Sequence, residues 1–346
     1  MDESKKLKIG IIGCGVGILH LQGFAENPRA EVVAIAGLDQ DRCRDLAKQF
    51  DVPRVYGEYQ ELIADPDIEA VTVAVPNILH VPVALAALEA GKHVMVEKPL
   101  APTAAEGQRI IDAAREANRV LGVVFNRRGR QDVQLVKREV ERGALGEIYH
   151  ARAFWMRRSG IPGLGTWFTS KGMAGGGPLI DLGIHVLDMA LWILGNPTAR
   201  RVSAATYAEL GPQGRGQWQG GRFKIVPGET YEVEDFATAR LDLANDATMH
   251  LECSWRLHAG CEARIEAAFY GTEGGAIFRN INGSFYDFQA ELFRGTKTEK
   301  LASPPDTWGG RAAAEWATRL ASGARFDSTV DRLVQVAATL DSIYES

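Results

Sequence analysis

The sequence predicts an α/β chain: an N-terminal doubly wound parallel sheet, then an α+β domain with an open, mostly antiparallel sheet. Three observations predict it. Strand-like and helix-like segments alternate through residues 1–125, the grammar of βαβ units. The strand segments there are almost continuously apolar, as strands covered on both faces are. Beyond Asn126 the grammar changes, and the pair Phe236–Leu243 and Ala247–Cys253 alternates apolar and polar residues, as half-buried strands do.

The first half has strand signals at Leu7–Ile12, Glu31–Ala36, Ala70–Val75, His93–Val96 and Val120–Phe125. Helical stretches lie between them at Leu19–Glu26, Arg42–Phe50, Val81–Ala90 and Ala104–Ala117. The second half opens with a helix over Gln131–Arg142, closed by Gly143. Strands follow at Ile148–Met156, Arg201–Ala208, Glu234–Leu243, Ala247–Arg256, Ala263–Tyr270 and Ala276–Arg279. Asn245-Asp246 between two alternating runs marks a hairpin. Gly211–Gly228 is Gly-rich and polar and reads as a mobile loop. Helices return at Ala312–Ala321 and Val330–Tyr344.

A chain of 346 residues suits two domains at roughly 150 residues each. The expected partition is 1–125 and 126–346, with the C-terminal helix a candidate to pack back on the first domain. The balance of 39 basic against 44 acidic residues gives a net charge of −5, which argues against a protein that coats phosphate backbones. No purely apolar run reaches the ~20 residues of a membrane span. Met1–Lys6 runs straight into a strand signal without an export leader, so the expected location is the cytoplasm. The four cysteines, Cys14, Cys43, Cys253 and Cys261, form no Cys-x-x-Cys pair and no zinc spacing, so no metal is expected. They read as reduced thiols.

The first strand ends in Gly13-Cys14-Gly15-Val16-Gly17, followed by Ile18 and a helix. Glycines there let the backbone bend and approach a pyrophosphate, and the helix N-terminus presents N–H groups to the anion. The third fingerprint glycine is expected at position 18, which holds Ile18. Either Gly17 takes its role one residue early or that glycine is lost. The second strand ends Ala36-Gly37-Leu38-Asp39. Asp39 bonds a ribose hydroxyl or caps the next helix. Arg42 or Arg44 could meet a 2′-phosphate. NAD and NADP both stay open, with the lean toward NAD.

The fourth strand signal, at His93–Val96, runs into Glu97-Lys98-Pro99. Pro99 holds Lys98 extended at the carboxyl end of a parallel strand, where open α/β sheets bind ligands. Further on, Gly175-Gly176-Gly177-Pro178 opens a helical stretch to Leu194 whose ionisable residues are Asp181, His185 and Asp188. Their i, i+4, i+7 spacing puts them on one face of an otherwise apolar helix. Such a stripe needs a reason when buried: a His general base oriented by a carboxylate, or a structural hydrogen-bond network. Asp188, furthest from the helix start, is the structural candidate. Trp167-Phe168 forms a sugar-stacking lid or packs under a loop. Arg157 and Arg158 bind an acidic substituent or stand as solvated charges.

These motifs together resemble the Gfo/Idh/MocA oxidoreductase family. The resemblance rests on the Gly13–Gly17 turn with His20 after it, Pro76-Asn77-x-x-His80, and Gly91-Lys92-His93-Val94 leading into Glu97-Lys98-Pro99. Phe125-Asn126-Arg127-Arg128 and the Asp181-x-x-x-His185-x-x-Asp188 helix complete it. The resemblance implies a Rossmann domain followed by a substrate domain whose open sheet mediates homo-oligomers. It implies hydride transfer between nicotinamide and a secondary alcohol or ketone of a sugar, inositol or related polyol. By the same resemblance Lys98, Asp181 and His185 form the catalytic set. Gly13, Cys14, Gly15, Val16, Gly17, Ile18, Asp39, Arg42, Pro76, Asn77, His80, Glu97 and Lys98 line the cofactor. Lys98, Asn126, Arg127, Trp167, Asp181 and His185 face the substrate, and Lys98-Pro99 is a candidate cis bond. Two rivals share the motifs: a redox-neutral enzyme that holds its NAD tightly, and a non-catalytic dinucleotide-binding regulator.

Overall fold

The structure is a computed structural model that describes residues 6–215 and 231–346. Most of the expected 211–228 loop lies outside the described residues. The chain forms two compact units, one of Met1–Asn126 with Trp308–Ala337, the other of Arg127–Thr307 with Ala338–Ser346.

The first unit runs β1 (Leu7–Ile12), α1 (Gly17–Ala25), β2 (Ala30–Ala36), α2 (Gln40–Gln49), β3 (Arg54–Tyr56) and α3 (Tyr59–Ala64). It continues with β4 (Ala70–Val73), α4 (His80–Glu89), β5 (His93–Val96), α5 (Ala104–Glu116) and β6 (Leu121–Val123). The six strands are all parallel, in the order β3-β2-β1-β4-β5-β6. This is the doubly wound order, whose chain reversal beside β1 leaves a crevice at the strand carboxyl ends. Each sheet face has its own core. Val71, Val73, Val94 and Val96 pack with Ala84, Leu88, Ile110 and Ile111 of α4 and α5. Ile9, Ile11 and Ile35 pack with Leu21 and Phe24 of α1 and with Trp316. Burial of each such side chain stabilises the fold by about 1.5–3 kcal/mol.

The second unit contains α6 (Gln131–Glu141), β7 (Ile148–Arg157), α7 (Lys171–Ala174), a π turn (Leu179–Gly183), α8 (Ile184–Ile193), β8 (Ala199–Tyr207) and β9 (Phe236–Leu243). Then come β10 (Thr248–Ser254), β11 (Ala263–Gly271), β12 (Gly275–Asn280), β13 (Phe288–Arg294) and β14 (Lys297–Ala302). Eight strands pair in the order β14-β13-β12-β11-β7-β10-β9-β8. All pairs are antiparallel except β7 with β10. The β9–β10 hairpin turns through Asp246 at φ 64°, as the Asn-Asp signal requires. Helices α6 and α8 pack on this sheet.

Two segments end the chain. Helix α9 (Arg311–Ala321) lies wholly in the first unit, and α10 (Leu333–Glu345) follows a 3₁₀ turn over Ser328–Arg332. Asn27 donates to the Ala314 carbonyl at 2.7 Å and to Thr318 at 2.9 Å, which ties α1 to α9. The stretch Lys171–Ile193, which runs from α7 through the π turn to α8, is long and apolar enough to cross a membrane, and 83% of its apolar window is buried inside the protein.

Candidate functional site

In the first unit the glycine turn is built by close approach. Gly13 has φ 108°, a conformation side chains disfavour. A Cβ on it would stand 2.1 Å from the Ala74 carbonyl oxygen. Gly17 opens α1, and a Cβ there would come within 3.1 Å of Ile11. Gly17 therefore does the helix–strand packing of the third fingerprint glycine, one residue early. Ile18 turns its side chain toward the core that contains Ile9 and Phe24. A Cβ on Gly15 would meet no described atom within 4 Å, so the turn presents bare backbone there. Val16, at the cap position of α1, makes no side-chain cap, and no acidic residue occupies the first turn. An uncapped N-terminus beside open glycine backbone fits a pyrophosphate.

The expectation of reduced thiols is corrected here: Cys14 and Cys43 are disulfide-bonded, with their Cα atoms 5.9 Å apart. The pair also accounts for Gly37, where the fingerprint places its ribose acid. A Cβ on Gly37 would stand 2.9 Å from both sulfur atoms. Asp39 caps α2, accepting from the Arg42 N–H at 3.0 Å. Arg42 turns back to the glycine turn, its Nε donating to the Cys14 carbonyl at 2.6 Å.

At the other strand ends, Pro76 precedes a 3₁₀ turn over Asn77–Leu79. Asn77 is buried. His80, expected at the cofactor, braces the strand ends. It is fully buried, with Nδ1 2.6 Å from the Pro99 carbonyl and Nε2 2.9 Å from the Val75 carbonyl. Burial pushes its ring pKa below the ordinary value, against the pull of the two carbonyls. It thereby holds the β5 terminus, where Lys98-Pro99 is cis. Glu97 is buried, with Oε1 2.9 Å from His20 Nε2, and its Oε2 accepts from the Lys98 N–H at 3.1 Å. Sequence reasoning placed His20 in a motif without seeing this partner, which lies 77 residues away. Lys98 is half-buried at the same strand end, and the Asn126 side-chain oxygen is buried with no hydrogen-bond partner among the described residues.

In the second unit the expected unbroken α-helix is corrected to a π turn followed by an α-helix. Residues Leu179–Gly183 form a π turn before α8 begins at Ile184. The three ionisable residues meet different partners. Asp181 Oδ2 accepts from the Trp255 indole N–H at 2.8 Å. His185 lies beside Trp155, ring centroids 5.8 Å apart. Asp188 is buried and accepts from Arg128 through both oxygens, with Arg128 Nε at 2.9 Å from Oδ2. Burial raises the Asp188 pKa, and the Arg128 charge opposes the rise.

Trp155 collects cations. The Arg127 guanidinium lies 4.2 Å from its ring centroid and that of Arg157 lies 5.3 Å away. Burial pushes the Arg157 pKa down to about 10, with Asp181 drawing it back up. Arg158 instead pairs with Glu262 at 3.2 Å on the surface, the solvated alternative. Trp167 stacks on Phe168 with centroids 3.8 Å apart, so its neighbour covers one ring face.

Sequence reasoning missed Trp155, Trp255 and Glu234 as parts of this site. Glu234 is buried and accepts from the N–H groups of Gly177 at 2.9 Å and Leu179 at 3.0 Å, and from the Tyr344 hydroxyl at 3.0 Å. Its carboxylate caps the run that carries Asp181 and His185. Among the described residues no three His, Cys, Asp or Glu side chains group as a metal site.

Comparison with known proteins decides the family. A model of an oxidoreductase family with an NAD-binding Rossmann fold matches residues 7–125, and the Gfo/Idh/MocA C-terminal domain model matches residues 133–277. The chain belongs to the Gfo/Idh/MocA oxidoreductase family. The D-glucoside 3-dehydrogenase of Escherichia coli is 34% identical over 288 residues, which cover 81% of this chain and 81% of that protein. The levoglucosan dehydrogenase of Pseudarthrobacter phenanthrenivorans is 32% identical over 291 residues, 79% of this chain and 74% of that one. A solved levoglucosan dehydrogenase in complex with NADH and levoglucosan superimposes with a TM-score of 0.83 at 28% identity, covering 99% of this chain and 97% of the other. The first unit is thus the NAD-binding Rossmann domain of a Gfo/Idh/MocA oxidoreductase.

Proposed function

We propose that the protein is an NAD-dependent dehydrogenase of a secondary alcohol in a glucoside, an anhydro sugar or a related polyol, with Lys98 and His185 as its acid/base pair. The observation that carries the reading is the His185 setting. An imidazole stands beside Trp155, while Asp181 four residues earlier is held by Trp255. Trp155 is itself buried and carries the Arg127 guanidinium against its ring, so its part is to position Arg127 and His185, and Arg127 would offer N–H donors to sugar hydroxyl groups. The relatives named above, a D-glucoside dehydrogenase and a levoglucosan dehydrogenase, support the substrate class.

The residues take these roles. His185 accepts the hydroxyl proton, and Asp181 orients its ring. The Lys98 ammonium steadies the negative charge that develops on the oxygen. The Gly13–Gly17 backbone and the α1 N-terminus hold the pyrophosphate, and Asp39 and Arg42 flank the ribose end. Asn77 and Glu97 stand toward the nicotinamide half. When bound, the nicotinamide supplies the hydride acceptor for oxidation or the donor for the reverse reaction.

The test is turnover on a panel of glucosides, anhydro sugars and inositols, read at the absorbance band of reduced nicotinamide. Lys98→Ala and His185→Ala each lower kcat/KM by about a hundredfold or more, with the melting temperature unchanged. Losses below about threefold in both variants overturn the assignment, since general acid–base catalysis contributes about 10²–10⁴-fold.

A further inference from the structure

The geometry points to Cys14 and Cys43 as a reversible thiol–disulfide site that sets the dinucleotide affinity of the glycine turn. The inference rests on the reading that this turn holds the pyrophosphate.

Cys14 sits inside the Gly13–Gly17 turn and Cys43 in the second turn of α2. Their Cα separation of 5.9 Å lies inside the range of about 4.4–6.8 Å that a disulfide spans. The bond links two segments that are 29 residues apart in sequence. Arg42 makes the second link between the same segments, through its hydrogen bond to the Cys14 carbonyl. The sulfurs lie against Gly37, where any Cβ would come within 2.9 Å of both. Two unbonded thiols need more separation than two bonded sulfurs. Reduction therefore moves Cys14 relative to α2, and Cys14 carries part of the backbone on which the anion would rest. The oxidised turn is pre-organised and the reduced turn is not, and pre-organisation raises affinity by lowering the ordering cost of binding.

The exposures assign the order of attack. Cys14 is 8% exposed and Cys43 is 0% exposed, so Cys14 is the entry sulfur and Cys43 the resolving one. With a low-molecular-weight disulfide as oxidant, the Cys14 thiolate attacks one of its sulfurs. This releases one small thiol and forms a mixed disulfide. The Cys43 thiolate then displaces the second small thiol and closes the Cys14–Cys43 bond. The two cysteines give up two electrons and two protons, and the small disulfide becomes two thiols. Excess small thiol drives the same steps backwards.

The experiment compares the full chain equilibrated in oxidised and in reduced glutathione. Alkylation after denaturation counts thiols, peptide mapping locates the bridge, and NADH fluorescence titration gives Kd. Two modified cysteines in the oxidised sample and four in the reduced one are expected, since the chain holds four in all. The reduced protein binds NADH about fivefold more weakly. Cys43→Ser and Cys43→Ala bind like the reduced protein in both buffers, and either variant suffices if the other folds poorly. Four modified cysteines in both buffers, or a bridge that leaves Kd unchanged, overturns the inference. Failure of both forms to bind NADH overturns the pyrophosphate reading on which it rests.

Discussion

The Trp255 indole N–H donates to Asp181 Oδ2 at 2.8 Å, and Trp255 is fully buried just past the end of β10. A buried donor aimed at one carboxylate oxygen fixes the direction in which the other points. Asp181 lies within the π turn, one turn ahead of His185. If Trp255 acts through Asp181, Trp255→Phe lowers kcat about tenfold. The double variant Asp181→Asn/Trp255→Phe is then no slower than Asp181→Asn alone, because residues in one network are not additive. Multiplying losses would show that Trp255 acts elsewhere.

The glycine turn separates folding from binding. Gly13→Ala places a Cβ 2.1 Å from the Ala74 oxygen at φ 108°, so the melting temperature and NADH affinity both fall. Gly15→Ala meets open space, so its melting temperature stays within about 2 °C of the parent while NADH Kd rises at least tenfold. Unchanged NADH binding by Gly15→Ala would remove the pyrophosphate from this turn.

Asp188 belongs to the scaffold. Its carboxylate is buried and bidentate to Arg128, and although Arg128 is partly solvated at 26% exposure, losing this pair costs about 1–3 kcal/mol. Asp188→Ala therefore lowers the denaturant midpoint strongly, and the folded fraction keeps its KM for the sugar. A stable Asp188→Ala enzyme with a raised KM would move this residue into the substrate site.

The first unit loses stability in mild acid through His93. Its Nδ1 accepts from the Val120 N–H at 2.9 Å. Burial, with help from Arg119 and Arg325, pushes its pKa down to about 4. An unfolded His titrates near ~6.5. Between those values the unfolded chain binds more protons than the native one, so stability rises with pH there. The contribution is complete above pH ~6.5 and fades as pH falls toward 4, by up to about 3 kcal/mol. His93→Asn keeps an acceptor without a titrating ring and flattens that slope in urea melts. A parent protein equally stable at pH 4.5 and 7 would contradict the reading.

Local pattern made some of this fold legible and long-range contact hid the rest. Strands β1 and β5 match their mostly apolar runs in bounds, because a strand buried on both faces is rich in apolar residues. The three residues of β3 and the polar run Lys297-Thr-Glu-Lys of β14 escaped notice, since short or edge strands carry little hydrophobic signal. In β13 the alternating burial of Phe288, Ala290 and Leu292 was readable. The Asp181–His185 spacing fits a π turn as well as an α-helix, so sequence alone could not separate them. The Cys14–Cys43 bridge and the Glu234 cap join residues 29 and 57 positions apart, which no local pattern reveals.

The NAD-binding unit is discontinuous along the gene. Trp316 lies 2.9 Å from where a Cβ on Gly122 would stand, and the Gly310 carbonyl oxygen lies 2.1 Å from where one on Gly23 would. These neighbours come from residues beyond 307. A fragment ending at Asn126 would leave Phe24 and the β1–β2 core without that wall. Grafting this dinucleotide module onto another protein requires two stretches of coding sequence, and deletions that reach into Trp308–Ala337 will register as weakened nucleotide retention.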